Sequence, residues 1–242
     1  MKRRFKTAFI LGAGFGKRLR PFTESLPKPL IPLWGKPLIC YILDRLIKYG
    51  FERFVINTHH AHEAYFTTFP NQTWRERPLV FNYESILLDT GGGLKNIEHL
   101  LTEDEAILCH NGDVLTTMPY DRLIEFHNEK RPYFTMALRS ESPQKHILLD
   151  EYGNVKDIRN ILKKKNGKRL HFTGVYAVET ECLKYIEPSR PISLIDILIE
   201  FIKSKPGKVK GVVIDEGNWY EVGTVESYNE IKKLDPRTFF LQ

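Results

Sequence analysis

The 242-residue sequence has no apolar run near the roughly 18 residues that a helical membrane span requires. Its start, Met1-Lys2-Arg3-Arg4, is charged like a secretory signal. Gly12, Gly14 and Gly16 break the apolar stretch that follows, and no small-residue cleavage site comes after it, so a cytoplasmic protein with no membrane partner is expected. Cysteine is scarce as well: Cys40, Cys109 and Cys182 are odd in number, far apart and lack a Cys-x-x-Cys pair, which argues against a disulfide framework or a cysteine zinc site. His59, His60 and His62 do not form His-Glu-x-x-His, so packing or surface roles are expected for them. There is no internal repeat or low-complexity tract. Acids fall short of bases, 30 against 36, for a formal charge of +6. The bases are dispersed, with Lys163-Lys164-Lys165 and Lys168-Arg169 the densest group, which disfavours a nucleic-acid partner and suits a polyanionic small molecule.

What is present is an alternation of apolar runs and amphipathic stretches. Thr7 to Leu11, Phe54 to Asn57, Leu79 to Tyr83 and Ala106 to His110 read as buried strands. Helical patterns lie between them, from Pro37 to a cap at Gly50, from Ala61, and from Gly93 to Leu101. Tyr120 to Lys130 is a further helix and Tyr133 to Arg139 a strand. His146 to Asp150 and Val155 to Ile158 flank Tyr152-Gly153-Asn154 as an inserted antiparallel hairpin. Leu170 to Val178 and Val209 to Ile214 are later strands. Ser193 caps a helix from Leu194 to Lys203, and Thr224 to Leu234 is the last helix. The order predicts one α/β domain over residues 1–242, a doubly wound mixed sheet of Rossmann-like type.

Residues 12 to 36 are rich in glycine, proline and bases, and a stretch of that length without regular structure is usually functional or disordered. Leu11-Gly12-Ala13-Gly14-Phe15-Gly16-Lys17-Arg18 lets the backbone turn sharply near a ligand with cations directly behind it, although a strand-to-helix turn can need glycine for steric reasons alone. A Walker A loop is excluded because three residues, not four, separate Gly12 from Gly16 and Arg18 stands where a hydroxyl is needed. A dinucleotide fingerprint is excluded by Lys17 in place of the third glycine and Asn57 in place of the ribose acid.

The pattern continues through Pro21-Phe22-Thr23 to Pro27-Lys28-Pro29-Leu30, and here the chain resembles the sugar-phosphate nucleotidyltransferase family, with its Gly-x-Gly-x-Arg-Leu-x-Pro-x-Thr and Pro-Lys-x-Leu signature. Gly14, Gly16, Arg18, Leu19, Pro21, Thr23, Pro27, Lys28 and Leu30 match within 17 positions. The resemblance runs from about Lys6 to about Leu234. It is closest to short members such as those acting on N-acetylmuramate 1-phosphate or mannose 1-phosphate, with no β-helix domain expected to follow. It implies a glycosyltransferase-A-like fold and transfer of a nucleoside monophosphate from a triphosphate, UTP or GTP, to a sugar 1-phosphate. Backbone amides from Gly12 to Gly16 would hold the triphosphate, Arg18 would offset charge on the departing pyrophosphate, and Lys28 would reach the reacting phosphate. Leu11 and Lys17 would lie beside the nucleotide.

Asp113, just past the end of the Ala106 to His110 strand, suits a turn or a ligand by position, and the resemblance implies that it binds magnesium. Asn111 would contact sugar or close the turn. Trp219-Tyr220-Glu221-Val222-Gly223-Thr224 resembles the family's second metal motif with Glu221 in place of aspartate. That exchange leaves open a catalytically silent nucleotide-sugar-binding protein of the same fold. Glu84 and the Thr90-Gly91-Gly92 stretch resemble the nucleobase side, with a glycine turn before the next helix as the plain structural reading. Phe172-Thr173-Gly174-Val175-Tyr176 resembles the sugar-side strand, which implies sugar contacts at Gly174 and Glu179; Lys168, whose spacing from Gly174 departs from the family's, would reach the sugar phosphate or belong to a solvated basic hairpin. A homo-oligomer is compatible with all of this.

Overall fold

The computed structural model describes residues 5–102, 105–142 and 144–240. Its α/β architecture divides into two compact, interleaved units. One comprises residues 6–87, 110–118 and 216–242, and the other residues 1–5, 88–109 and 119–215. Among the described residues no helix is long and apolar enough to cross a membrane.

The first, loop-bearing unit is built on parallel strands. Thr7–Leu11 pairs in parallel with Arg53–Thr58, and that strand pairs in parallel with Arg77–Tyr83. Side chains on both faces of the first two of these strands are buried, as a strand covered on two sides requires, whereas in Arg77–Tyr83 only Leu79 is. The crossovers are the helices Leu38–Lys48 and Glu63–Thr68. The first begins one residue later than its sequence pattern: Pro37 closes a small hairpin, Pro32–Leu33 with Lys36–Pro37, whose turn residues Trp34 and Gly35 both have positive φ.

The long glycine- and proline-rich segment is therefore ordered from within. It contains 3-10 turns at Lys17–Leu19 and Lys28–Leu30. Leu19, Ile31 and Leu33 sink into a core with Leu115, Val222, Tyr228 and Phe239. Tyr228 donates its hydroxyl to Pro32 O at 2.6 Å, and Trp34 Nε1 donates to Lys232 O at 3.3 Å. The C-terminal helices Val225–Lys232 and Pro236–Phe240 thus brace the loop that follows the first strand. Thr224 caps the former of these in a reciprocal capping box with Ser227.

In the second, hairpin-bearing unit, Phe134–Arg139 pairs antiparallel with Lys168–Glu179 and parallel with Val209–Val213. Ile147–Leu149 lies antiparallel to Lys168–Glu179 and to Val155–Ile158, forming the expected inserted hairpin. Ser193 caps the helix Leu194–Ser204 by accepting from Asp196 N–H. The helix expected from Gly93 begins instead at Asp89 and ends at Asn96, so Gly91, Gly92 and Gly93 lie inside it and are buried. Packing explains the discrepancy. A Cβ on Gly91 would strike Ile197 Cδ1 and lie 2.9 Å from Ser193 O, and one on Gly92 would lie 2.7 Å from Arg190 O.

Candidate active site

The glycine loop, Arg18, Lys28, Asp113 and Glu221 all lie within the loop-bearing unit. The first strand ends at Leu11, opposite Asn57 on its parallel neighbour. Asn57 Oδ1 accepts from Gly12 N–H at 2.8 Å and from Ala13 N–H at 3.4 Å, while its Nδ2 donates to Glu84 Oε1 at 2.7 Å. A buried carboxylate, a carboxamide and the loop backbone form one chain of hydrogen bonds. Gly12 is glycine for packing, since a Cβ there would meet Tyr65 Oη at 2.5 Å and Asn57 O at 2.8 Å. Gly14 differs: nothing lies within 4 Å of where its Cβ would be, which leaves open space for a ligand to approach. Gly16, at φ 58°, starts the first 3-10 turn, and Thr23 donates its hydroxyl to Gly16 O at 2.8 Å.

Two of the expected nucleotide contacts have partners within the protein. The Gly12 amide is committed to Asn57 at 2.8 Å, and the Ala13 amide is held by the same oxygen more loosely, at 3.4 Å. Glu84 is only 2 % exposed with a carboxylate oxygen committed to Asn57, an arrangement that supports the loop rather than reads a base.

The acids come together through a two-stranded ribbon that sequence reading missed. Val114–Thr116 pairs antiparallel with Trp219–Glu221, with Glu221 opposite Val114, and Val222 N–H donates to Asp113 O at 2.8 Å. Asp113 and Glu221 therefore leave the same end of the ribbon. Gly112 makes the approach possible: its N–H donates to Leu11 O at 3.0 Å, and a Cβ there would lie 2.5 Å from that oxygen.

Each acid faces a cation of the loop. Lys28 Nζ donates to Asp113 Oδ2 at 2.7 Å with both side chains less than a fifth exposed, and Arg18 Nη2 lies 3.7 Å from Glu221 Oε1 with both largely open to solvent. Solvent screening makes the second pair weak, so Arg18 is free to turn toward an incoming anion. Lys17 Nζ lies 5.6 Å from the centre of the Phe15 ring. Asn111 ends the strand Ala106–Asn111, half-buried.

His110, fully buried in that strand, has its pKa pushed down to about 4, chiefly by burial. The other histidines pack as expected: His59 Nδ1 donates to Glu84 O at 2.8 Å and His60 Nε2 to Thr23 O at 2.9 Å, with Phe15 edge-on to His59.

The remaining expected contacts belong to the hairpin-bearing unit. Gly91 and Gly92 both donate their N–H groups to Ile192 O, at 2.9 and 3.0 Å, so those amides are not available to a nucleobase edge. Thr90 Oγ1 accepts from Leu194 N–H at 2.9 Å. Gly174 has φ 79° within a register shift between Phe172 and Tyr176, a local break in the strand. Glu179 is buried with Oε1 3.3 Å from His127 Nε2, so its carboxylate serves the helix Tyr120–Lys130 rather than a sugar. Lys168 Nζ donates to Ser140 Oγ at 3.1 Å and stands six residues, roughly 20 Å of extended strand, from Gly174, so the two do not share a subsite.

A glycine loop opening from a parallel strand, with cations facing carboxylates at strand ends, is the arrangement found at the ligand-binding edge of α/β sheets. The sequence pattern described as nucleotidyl transferase matches residues 7–237, and the chain belongs to that family. It is 27% identical over 249 residues to the UTP–glucose-1-phosphate uridylyltransferase of Synechocystis sp., covering 91% of this chain and 61% of that protein. It is 35% identical over 164 residues to the D-glycero-alpha-D-manno-heptose 1-phosphate guanylyltransferase of Aneurinibacillus thermoaerophilus, covering 66% of this chain and 67% of that one. The chain thus spans about three fifths to two thirds of the length of these curated relatives. The inositol-1-phosphate CTP transferase structure from T. maritima shares the fold, with a TM-score of 0.76 at 19% identity over 96% of this chain and 98% of that one.

Proposed function

We propose that this chain transfers a nucleoside monophosphate from a nucleoside triphosphate to a sugar 1-phosphate, giving a nucleotide sugar and pyrophosphate. UTP or GTP is the favoured donor, in keeping with relatives named uridylyltransferase and guanylyltransferase. The observation that carries this reading is the pairing of Lys28 with Asp113 and of Arg18 with Glu221 beside the open Gly14 loop.

In the reaction an acceptor phosphate oxygen forms a bond to the α-phosphorus as the bond from that phosphorus to the bridging oxygen breaks, and the electron pair leaves with pyrophosphate. The attacking oxygen is already ionised at neutral pH, so no general base is required. The task is to hold like charges together. Amides from Ala13 to Gly16 cradle the triphosphate, Lys28 offsets charge at the reacting phosphate, and Arg18 swings from Glu221 to the departing pyrophosphate.

Asp113 and Glu221 fit magnesium as hard oxygen donors from one ribbon end. They would hold it as the one or two carboxylates that this ion commonly takes from a protein. When bound, the ion neutralises charge on the phosphate oxygens. The cytoplasm is the compartment we assign, on the nature of the substrates.

The test is pyrophosphate release with four nucleoside triphosphates crossed against a panel of sugar 1-phosphates, in magnesium. Release is expected only with both substrates and the metal, and Asp113→Asn lowers it at least about 100-fold. Silence across the panel, or near-normal turnover by a folded Asp113→Asn protein, overturns the assignment.

A further inference from the structure

Three residues at and just beyond the end of the strand Arg53–Thr58 fasten the glycine loop at both of its ends. Asn57 holds the start, through the Gly12 and Ala13 amides. His59 donates from Nδ1 to Glu84 O, and Glu84 Oε1 accepts from Asn57, so His59 steadies that same end. His60 serves the other end. Its Nε2 donates to Thr23 O at 2.9 Å, and the Thr23 hydroxyl donates to Gly16 O at 2.8 Å. Thr23 is buried, and a Cβ on Gly16 would lie 2.8 Å from Thr23 Cγ2, so Thr23 also shapes the loop's exit by packing.

Between the two fastenings lie the donors. Among the described residues the N–H groups of Gly14, Phe15, Gly16 and Lys17 carry no hydrogen bond within the protein, and the space beside Gly14 is open. Phe15 at the tip is 41 % exposed and rests against the His59 and His60 rings, with centroids 5.3 and 6.0 Å away. Gly16 sits at φ 58°, where glycine meets no steric penalty and is equally free to leave unless its neighbours fix it. Leu19 N–H donates to Gly16 O at 2.8 Å, but Leu19 belongs to the turn that Gly16 starts and moves with it. Through Thr23, His60 instead ties that turn to a residue two positions past a buried strand.

We propose that His60 is a positioning residue for the triphosphate: by holding Thr23 it fixes Gly16, and so aims the amides from Gly14 to Lys17 before the ligand arrives. This role rests on the nucleotidyl-transfer reading in taking a triphosphate as the loop's ligand. Donors set in place beforehand spare the ligand the cost of ordering them, so the contribution is read in affinity. His62 provides the contrast. It lies on the same segment, but it shares a hydrogen bond with Thr58 Oγ1 and its ring packs on Phe66 and Tyr83, residues outside the loop.

The test uses His60→Ala, His60→Asn, His60→Gln and His62→Ala, with circular dichroism confirming each fold. Glutamine carries an amide donor at about the reach of histidine Nε2, and asparagine falls one methylene short of it. KM for UTP or GTP, whichever the wild type turns over, is expected to rise about fivefold or more in His60→Ala and His60→Asn with kcat within about twofold. It stays within about twofold of wild type in His60→Gln and His62→Ala. An unchanged KM in His60→Ala, an equal rise in His62→Ala, or a His60→Gln no better than His60→Asn overturns the proposal. Should His60→Ala fail to fold, the comparison of His60→Gln with His60→Asn decides it.

Inorganic triphosphate, titrated while the Gly14 and Gly16 amide resonances are followed by NMR, reads the loop without turnover. Saturable shifts in wild type, with affinity about fivefold or more weaker in His60→Asn and retained in His60→Gln, support the proposal. No shift in wild type, or equal affinity in wild type and His60→Asn, overturns it. The supporting pattern without pyrophosphate release from any substrate pair overturns the nucleotidyl-transfer reading and leaves the positioning role standing.

Discussion

At the scale of single residues, Asn57 is the most informative side chain in the loop-bearing unit. It offers an acceptor to two loop amides and a donor to buried Glu84, so removing it strands groups on both sides. Asn57→Ala is expected to cost about 2–3 kcal/mol in urea denaturation and to raise KM for the triphosphate, whereas loss of a surface contact would leave both unchanged. Asparagine at this position drew notice in the sequence only for what it is not, the acid of a dinucleotide site. Its role emerges from strand register, which local pattern does not contain. Glu221→Asp is expected to keep turnover within a few-fold, because the carboxylate draws back one methylene from an arginine it holds only weakly at 3.7 Å. Loss of activity in pyrophosphate release would mean that the site is fitted to the longer side chain.

At the scale of elements, alternating strand and helix were legible because the apolar runs Thr7–Leu11, Arg53–Thr58 and Ala106–Asn111 are buried almost throughout, and Ser193 and Thr224 cap the helices they precede. The helix at Asp89 was not legible. Three consecutive glycines disfavour a helix in isolation, and only the fit against residues 190–197 reverses the preference. Gly91→Ala, the better helix former by propensity, is therefore expected to destabilise by about 1–3 kcal/mol, lowering Tm by roughly 3–10 °C in a thermal melt. A rise in Tm would show that Ile197 and Ser193 yield to the added methyl. The metal-side ribbon escaped notice for another reason. Its strands are three residues each and lie about a hundred positions apart, too short for periodicity and too distant for a turn signal.

For the whole molecule, buried His110 couples stability to pH. Its folded pKa of about 4 lies below the ordinary 6.5, so between those values the unfolded chain takes up a proton that the folded one refuses. Stability from this residue is complete above pH 6.5 and falls as pH drops toward 4, by about 3 kcal/mol in all. Urea midpoints measured from pH 7.5 to 4.5 should fall less steeply for His110→Gln than for wild type, and parallel curves would contradict the assignment. The two units have a further consequence that follows from chain path alone. The backbone changes unit after Phe5, Leu87, Cys109, Met118 and Asp215, so neither unit is a continuous stretch of sequence. A single proteolytic nick, or a gene split at any one codon, leaves at least one of the units divided between two fragments, and recovery of function from such halves would require them to find each other and fold together.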